Sequence, residues 1–377
     1  MERNDWQAGV LGELGALTPS GKAEKGTGES GGPPERGARP AGGNAPAALP
    51  APEAARVPPG GSRGPSPTRP GSAPTPETVP VLGAGAGNVR LRHGDPVLRR
   101  VLRTARHAFG SSAARAVAES TELVARVQQP VTTGRQVVVT SIRGGAGKTT
   151  VTALLSRTFN HFRHDPVLTL EADAALGTLP ARLGVDQLRW TCTDLARVLH
   201  PSMRLTDVTG YLVPLADGGW LLPGSQGRIG ARIDIAAYRT ATVALRRYFG
   251  VTLVDCDTLP GEVARTALDT AQARVLVAPA TTEGVASTGA VLDWLGSLPV
   301  PVLPRTVVVL TASSPDAAPD AHAAAELARS GAGVVVLPYD RHLASGGVIR
   351  TDHLAAATRR AVTRLAAEAM QRAVGAR

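Results

Sequence analysis

The chain is short of several residue types, and each shortage excludes something. It has two cysteines in 377 residues, Cys192 and Cys256, far apart in sequence. That is no disulfide framework, and it suits a reducing cytoplasm. Aromatic residues make up 3% of the chain. No apolar run approaches the roughly 20 residues that a membrane-spanning helix needs. The first residues show no basic stretch leading into an apolar core, so no signal peptide is expected. His161 and His164 have no metal-site spacing with cysteine or carboxylate and read as surface residues. No internal repeat is visible. Lysine is almost absent: Lys22 and Lys25 lie in a Gly/Pro-rich stretch, Lys148 stands alone further on, and every other basic residue is arginine.

What is present is charge and small residues. The formal net charge is +10, with 42 glycines and 30 prolines. A basic balance permits attraction to nucleic acid, anionic lipid or acidic partners, but scattered arginine also reads as a solvated surface. Residues 1–88 are rich in Pro, Gly, Ala and Ser, and runs such as PPGGSRGPSPTRPGS bury too little apolar surface to offset chain entropy. This region is expected to be disordered, as a spacer or a tether for a partner. A short helical piece around Trp6–Leu17 is either a docking motif or a bare fluctuating segment. Residues 95–129 read as a helical segment of one or two helices. Leu98, Val101, Leu102, Ala105 and Phe109 repeat at helical spacing there, with Arg99, Arg100, Arg103 and Arg106 interleaved.

The most informative stretch is Arg135–Thr150, RQVVVTSIRGGAGKTT. Val137, Val138 and Val139 are a β-branched run of buried-strand type. Gly144, Gly145, Ala146 and Gly147 follow, where a backbone turns tightly and approaches a ligand. Lys148, Thr149 and Thr150 then open a helical pattern with Val151, Leu154, Leu155 and Phe159 on one face. Strand, Gly-rich turn and helix N-terminus make an anion site, because free N–H groups and the positive end of the helix dipole point at a phosphate. Lys148 would add a charge at the β/γ-phosphates and the Thr149 hydroxyl a ligand for Mg²⁺.

Downstream, strands and helices alternate, the pattern of an α/β domain with a mainly parallel sheet. Pro166–Leu170 is a strand leading into Glu171-Ala172-Asp173. A helix covers Cys192–His200, a strand and turn Gly219–Gly224, and a helix Ile233–Phe249. Val251–Asp255 is an apolar strand ending in a carboxylate. Arg274–Pro279, Thr306–Leu310 and Gly333–Pro338 are further buried strands, with a helix over Val285–Leu298. Asp352–Arg377 reads as a terminal helix with Val362, Leu365, Ala366, Ala369, Met370 and Ala373 as its apolar stripe. A core-packing role suits that stripe better than a membrane surface, since half of it is alanine and Glu368 interrupts the basic face.

The motif R-G-G-A-G-K-T-T resembles the deviant P-loop of the MinD/ParA family, K-G-G-x-G-K-T-T, with Arg143 where that family carries its signature lysine. The resemblance covers about residues 135–377 and rests on RGGAGKTT, EAD and VTLVD in that order. It implies a doubly wound, mainly parallel sheet with a P-loop, preceded by the disordered N-terminal region. It implies an ATPase that binds ATP with Mg²⁺ and dimerises face to face around nucleotide. Lys148 and Asp173 would be catalytic, Asp173 by orienting water, and Arg143 would reach the other subunit's phosphates. Thr149 and Asp255 would hold the metal, with Asp257 a second candidate carboxylate in a switch stretched by a residue. Gly144–Thr150 would bind phosphate, and Pro338 and Tyr339 would line the base. Thr311 stands near the position of an adenine-holding Asn, and no [NT]-K-x-D motif marks a GTPase. The Arg-rich usage, the Pro/Ala-rich leader and LPYDRHLASGGVI resemble MinD-like proteins of type VII (ESX) secretion. A protein partner in secretion or positioning is therefore expected, with the chain in the cytoplasm and recruited to the membrane periphery by that partner. The rival readings are a DNA-partitioning ATPase, a non-hydrolysing nucleotide-binding adaptor, and a cycler on the membrane surface.

Overall fold

A computed structural model describes residues 75–81, 92–95, 112–175, 177–259, 261–317 and 321–375. The expected helix at Trp6–Leu17 and the stripe from Leu98 to Phe109 lie outside the described residues. In chain order the elements are β1 (Val79–Pro80), α1 (Ser112–Val127), β2 (Arg135–Ser141), α2 (Lys148–Phe162), β3 (Val167–Glu171), α3 (Leu179–Leu183) and β4 (Gln187–Leu188). Next come α4 (Cys192–Val198), α5 (Leu205–Thr209), β5 (Val213–Pro214), β6 (Trp220–Leu222), α6 (Ile235–Leu245), β7 (Val251–Thr258) and α7 (Glu262–Thr270). The remainder are β8 (Ala273–Pro279), α8 (Thr282–Gly296), β9 (Thr306–Thr311), α9 (Ala321–Ala328), β10 (Gly333–Leu337), α10 (Arg341–Ala344) and α11 (Ala356–Gly375).

Eight strands form one sheet in the order β10-β9-β8-β2-β7-β3-β6-β5, parallel except for the antiparallel β5–β6 edge. The valine runs explain why. A strand covered on both faces needs apolar residues at successive positions, not alternate ones. Val137 and Val139 enter the core beneath α2 and α11, whereas Val138 enters the opposite core with Tyr238, Ala241, Leu245, Ala264 and Ala267 of α6 and α7. The sheet is thus doubly wound. β2 lies between β7 and β8, so the chain moves away from it in both directions, and the carboxyl ends of β2, β7 and β3 open side by side.

Three sequence expectations shift. β7 does not end at Asp255 but runs on to Thr258, with a register shift against β2 between Val139 and Ser141. The terminal helix does not start at Asp352: Thr351–His353 is a 3₁₀ turn, and α11 begins at Ala356, whose N–H donates to the Asp95 carboxylate at 3.2 Å. Residues 75–81, within the stretch expected to be disordered, include a strand. β1 pairs antiparallel with β4, and Val81 is buried.

α11 is a core helix. Besides the six stripe residues it buries Thr358 and Ala367, and it packs on α1, α2, β8, β9 and β10. Arg163, beyond the C-terminus of α2, straps α1 down. It forms two bonds to Asp165, at 2.7 and 2.8 Å, and donates to the carbonyls of Val127 and Gln129 at 2.6 and 3.0 Å. Among the described residues, no helix is long and apolar enough to cross a membrane.

Candidate functional site

The Gly-rich loop is shaped by two residues with left-handed backbone. Gly145 (φ 76°) and Gly147 (φ 93°) occupy a region that side chains with a Cβ rarely adopt. Gly144 lies outside that region, but a Cβ there, as at Gly145, would meet nothing within 4 Å, so the loop's outer side is open. Its inner side is fastened. The Ser141 hydroxyl donates to the Arg143 carbonyl at 2.7 Å, and the Thr311 hydroxyl donates to the Ala146 carbonyl at 2.9 Å and to that of Ala278 at 3.2 Å. Thr311 therefore anchors the loop from β9. The N–H groups at the start of α2 have no partner within the helix and face the loop. Lys148 is buried, Thr149 and Thr150 are half-buried, and the Arg143 side chain is exposed.

Four carboxylates stand at the ends of β3 and β7. Asp255 is fully buried and pairs in register with Glu171 across the two strands. It accepts hydrogen bonds from the hydroxyls of Thr149 and Thr152, the latter at 3.0 Å. Burial pushes its carboxyl up to about 7, while the two threonines and Lys148 oppose the shift. Its carbonyl accepts the N–H groups of Ala172 and Asp173 at 2.7 and 3.1 Å, which fixes where the Asp173 side chain leaves the backbone. Asp173 is half-buried and raised by burial, with Lys148 pulling it back.

Glu171 lies deeper. Its Oε2 accepts the Gly224 N–H at 3.2 Å, and its Oε1 is buried without a hydrogen-bond partner. Burial raises it to about 8, with Asp255 and Asp173 adding to the effect and the Gly224 N–H working against it. A Cβ at Gly177 would lie 2.1 Å from Oε1, so the loop after β3 closes over this carboxyl only because glycine stands there. Asp257 is half-buried, and its Oδ1 is shielded and unpartnered. Burial raises it, Asp173 adds to the shift and Lys148 offsets part of it.

The structure brings Lys148, Thr149, Asp173, Asp255 and Asp257 together around the loop. Pro338 and Tyr339 follow the edge strand β10, with β9 and β8 between it and β2. Pro338 lines a groove between α1, α2 and α11. Sequence reasoning missed the roles of three hydroxyls, although Thr311 was noted for its place near the base. Thr152 lies one turn after Lys148 on the buried face of α2, a spacing that was available as a signal. Thr258 accepts from Lys148 Nζ at 3.0 Å, and Thr311 holds the loop from another strand, and nothing local in the sequence marks either.

Among the described residues, no cluster of three or more His, Cys, Asp and Glu side chains can hold a metal by itself. The Thr149–Asp255 pair instead fits a cation shared with a bound phosphate. The open loop, the unpaired N–H groups and a single buried ammonium fit the phosphate itself.

No family profile matches the chain. Among solved structures, a ParA family ATPase from Chlorobium tepidum superposes with a TM-score of 0.51 at 16% identity, over 62% of this chain and 98% of that one. The chain has the ParA fold. The cell division ATPase MinD of Pyrococcus furiosus is 23% identical with a TM-score of 0.47, over 62% of this chain and 98% of its own. A curated relative, the ESX-1 secretion-associated protein EspI of Mycobacterium tuberculosis, strains CDC 1551 and H37Rv, is 30% identical over 255 residues. Those residues are 65% of this chain and 38% of EspI, so this ParA-fold chain spans well under half the length of that relative.

Proposed function

We propose that the chain is a Mg²⁺-dependent ATPase that works as a slow, nucleotide-controlled dimer switch, read by a protein partner of a type VII secretion system. One observation carries the reading: a single buried lysine at the head of α2 faces Asp173, Asp255 and Asp257, and Asp255 is tied to α2 by two threonine hydroxyls. In this reading Lys148 and the loop N–H groups bind the β/γ-phosphates. Thr149 and Asp255 hold Mg²⁺, which when bound neutralises phosphate charge. Asp173, fixed by its own N–H to Asp255, orients the attacking water. Arg143 is exposed on the open side of the loop, so it is free to reach the phosphates of a facing subunit. Arginine suits that role because it stays charged and bonds phosphate through a planar fork. The similarity to EspI supports the secretion partner. The two buried, free thiols suit a cytoplasmic setting, and recruitment to the membrane periphery would pass through the partner.

A second reading, an adaptor that binds nucleotide without turnover, is favoured by Glu171. Its carboxyl is buried against the Gly224 N–H, with Oε1 unpartnered under the loop after β3, rather than open to the P-loop. ATP turnover and dimerisation, measured on wild type beside Lys148→Ala, Asp173→Ala and Arg143→Ala, separate the two. Slow turnover with ATP-dependent dimers, binding lost in Lys148→Ala and only the dimer-linked part lost in Arg143→Ala, supports the switch. Nucleotide binding with neither phosphate release nor dimers means an adaptor.

A further inference from the structure

Residues 76–81 belong by sequence to the Pro/Gly-rich leader, yet they are fastened to segments that follow β3 and β6. β1 pairs with β4 through Val79–Leu188 and Pro80–Gln187, and the Val81 N–H donates to the Asp186 carbonyl at 2.8 Å. Pro80 has no N–H to give, and a two-stranded ladder is weak by itself. The strand is therefore seated mainly by side chains: Val81 is buried in the core that holds Leu183, Val185 and Leu188, and Val79 packs against the same core. Gln226, from the loop after β6, joins three segments at one atom. Its Nε2 donates to the Glu77 carbonyl at 2.8 Å and to the Arg189 carbonyl at 2.9 Å. Arg189 Nε adds a bond to the Pro76 carbonyl at 3.2 Å. The loop that carries Gln226 in turn grips the loop that carries Asp173. The buried Ser225 hydroxyl donates to the Ala174 carbonyl at 2.6 Å, and the Gly224 N–H to Glu171 Oε2 at 3.2 Å. A Cβ at Gly224 would stand 2.5 Å from the Glu171 carbonyl oxygen and 3.3 Å from the Ala174 Cα, so the two loops lie backbone against backbone.

We propose that β1 is a positioning strap for the site: seated on β4, it holds the loop of Asp173 in place through Gln226 and Ser225, and drawn off, it lets that loop drift. The role of Asp173 in hydrolysis rests on the nucleotide reading given above, whereas the mechanical link stands apart from it. Asp173 is fixed from one side by its N–H on the Asp255 carbonyl. The strap and the loop after β6 supply the other side. The P-loop lies outside this chain of contacts, because its ties run to Ser141, Thr258 and Thr311. Unseating the strap therefore slows turnover and leaves nucleotide affinity as it is. The leader becomes a handle on hydrolysis: whatever draws residues 76–81 away from β4 slows the switch without emptying it.

The test uses the full chain as wild type, as Val81→Asp, as Val81→Ile, and as Val81→Asp cross-linked to β4 by a disulfide through Pro80→Cys and Gln187→Cys. A carboxylate cannot stay in the apolar seat of Val81, so aspartate unseats the strap, whereas isoleucine keeps it seated. Pro80 and Gln187 are paired and exposed, so the cross-link returns the strap with little other change. Hydrogen exchange without nucleotide reads the link itself. In Val81→Asp the amides of Asp173, Gly224 and Gly227 should exchange about fivefold faster, the span of one net hydrogen bond, while that of Val138 in β2 stays slow. Isoleucine and the oxidised cross-link should give wild-type rates. ATP turnover and calorimetric titration with ADP read the consequence. Val81→Asp should turn over about tenfold more slowly at unchanged affinity, because a misplaced group costs rate steeply, and oxidising the cross-link should restore the rate. Unchanged exchange at Asp173 overturns the proposal, as does a rise that the cross-link does not reverse, or an affinity that falls while turnover holds. If Val81→Asp does not fold, Gln226→Ala takes its place, and wild-type exchange at Asp173 and Gly224 in that variant overturns the proposal. A wild type that neither binds ADP nor hydrolyses ATP removes the nucleotide reading, and exchange at Asp173 still decides whether the strap holds the loop.

Discussion

At the scale of single residues, Glu171 makes pH a probe of the site. Its carboxyl is raised in the folded state from an ordinary value near 4.5 to about 8. The folded protein therefore holds a proton that the unfolded chain gives up, and the stabilisation this provides is lost as pH rises from about 4.5 to about 8. Asp255 acts in the same direction up to about 7. With EDTA present, the melting temperature of wild type should fall between pH 5 and 8. Glu171→Gln, which stays neutral and still accepts the Gly224 N–H, should show a shallower fall, the remainder coming from Asp255. Identical slopes would mean that Glu171 is ionised in the fold. Thr311 is a second probe. Thr311→Val removes the donor that holds the Ala146 and Ala278 carbonyls, and should cost about 1 kcal/mol of stability while weakening nucleotide binding several-fold. Denaturant titration and calorimetry check the two parts, and unchanged affinity would show that the loop keeps its shape without β9.

At the scale of elements, α11 separates burial from charge. Leu365 and Met370 are buried under the sheet, so Leu365→Ala or Met370→Ala should cost about 2–5 kcal/mol. Arg364 pairs with Glu119 at 2.6 Å with both side chains more than half exposed, so Arg364→Ala should cost under about 1 kcal/mol. Chemical denaturation of the three variants tests the contrast, which fails if the arginine loss rivals the leucine loss. The same distinction explains what was legible in the sequence. β2, β7, β8, β9 and β10 stand out because a doubly covered parallel strand must be apolar at successive positions. The loop at Gly144–Thr150 stands out because close turns and an anion need residues that few other settings need. The bulge in β7 showed only as a switch stretched by a residue, since Cys256 and Asp257 gave no periodic sign that the strand itself runs on to Thr258. β1 was hidden in a Pro-rich context, although the run Val79-Pro80-Val81-Leu82 held a signal. The contact of Thr258 with Lys148 was invisible, and Thr311 was noticed only for its place near the base and not as an anchor of the loop, because a hydroxyl declares its partner only when distant strands meet.

For the whole molecule, removing residues 356–375 is the broadest test. That helix closes the core over β8, β9, β10 and α2, so deletion should abolish cooperative unfolding rather than merely weaken binding to some surface. Thermal unfolding followed by circular dichroism settles this, and a deleted protein that still melts in one sharp transition would show the sheet to be stable without its cover.

The pairing of β2 with β7 and β8 has a consequence for synthesis. Val137 meets Leu253 on one side and Ala273 on the other, and both are made more than a hundred residues later. At ribosomal speed that gap is on the order of ten seconds, during which a β-branched, uncharged run leaves the exit tunnel with neither neighbour in existence. The strand that carries the P-loop is therefore the part of the nascent chain most in need of a chaperone's grip, and slow codons placed between β2 and β7 should lower the yield of soluble protein more than the same codons placed after β8.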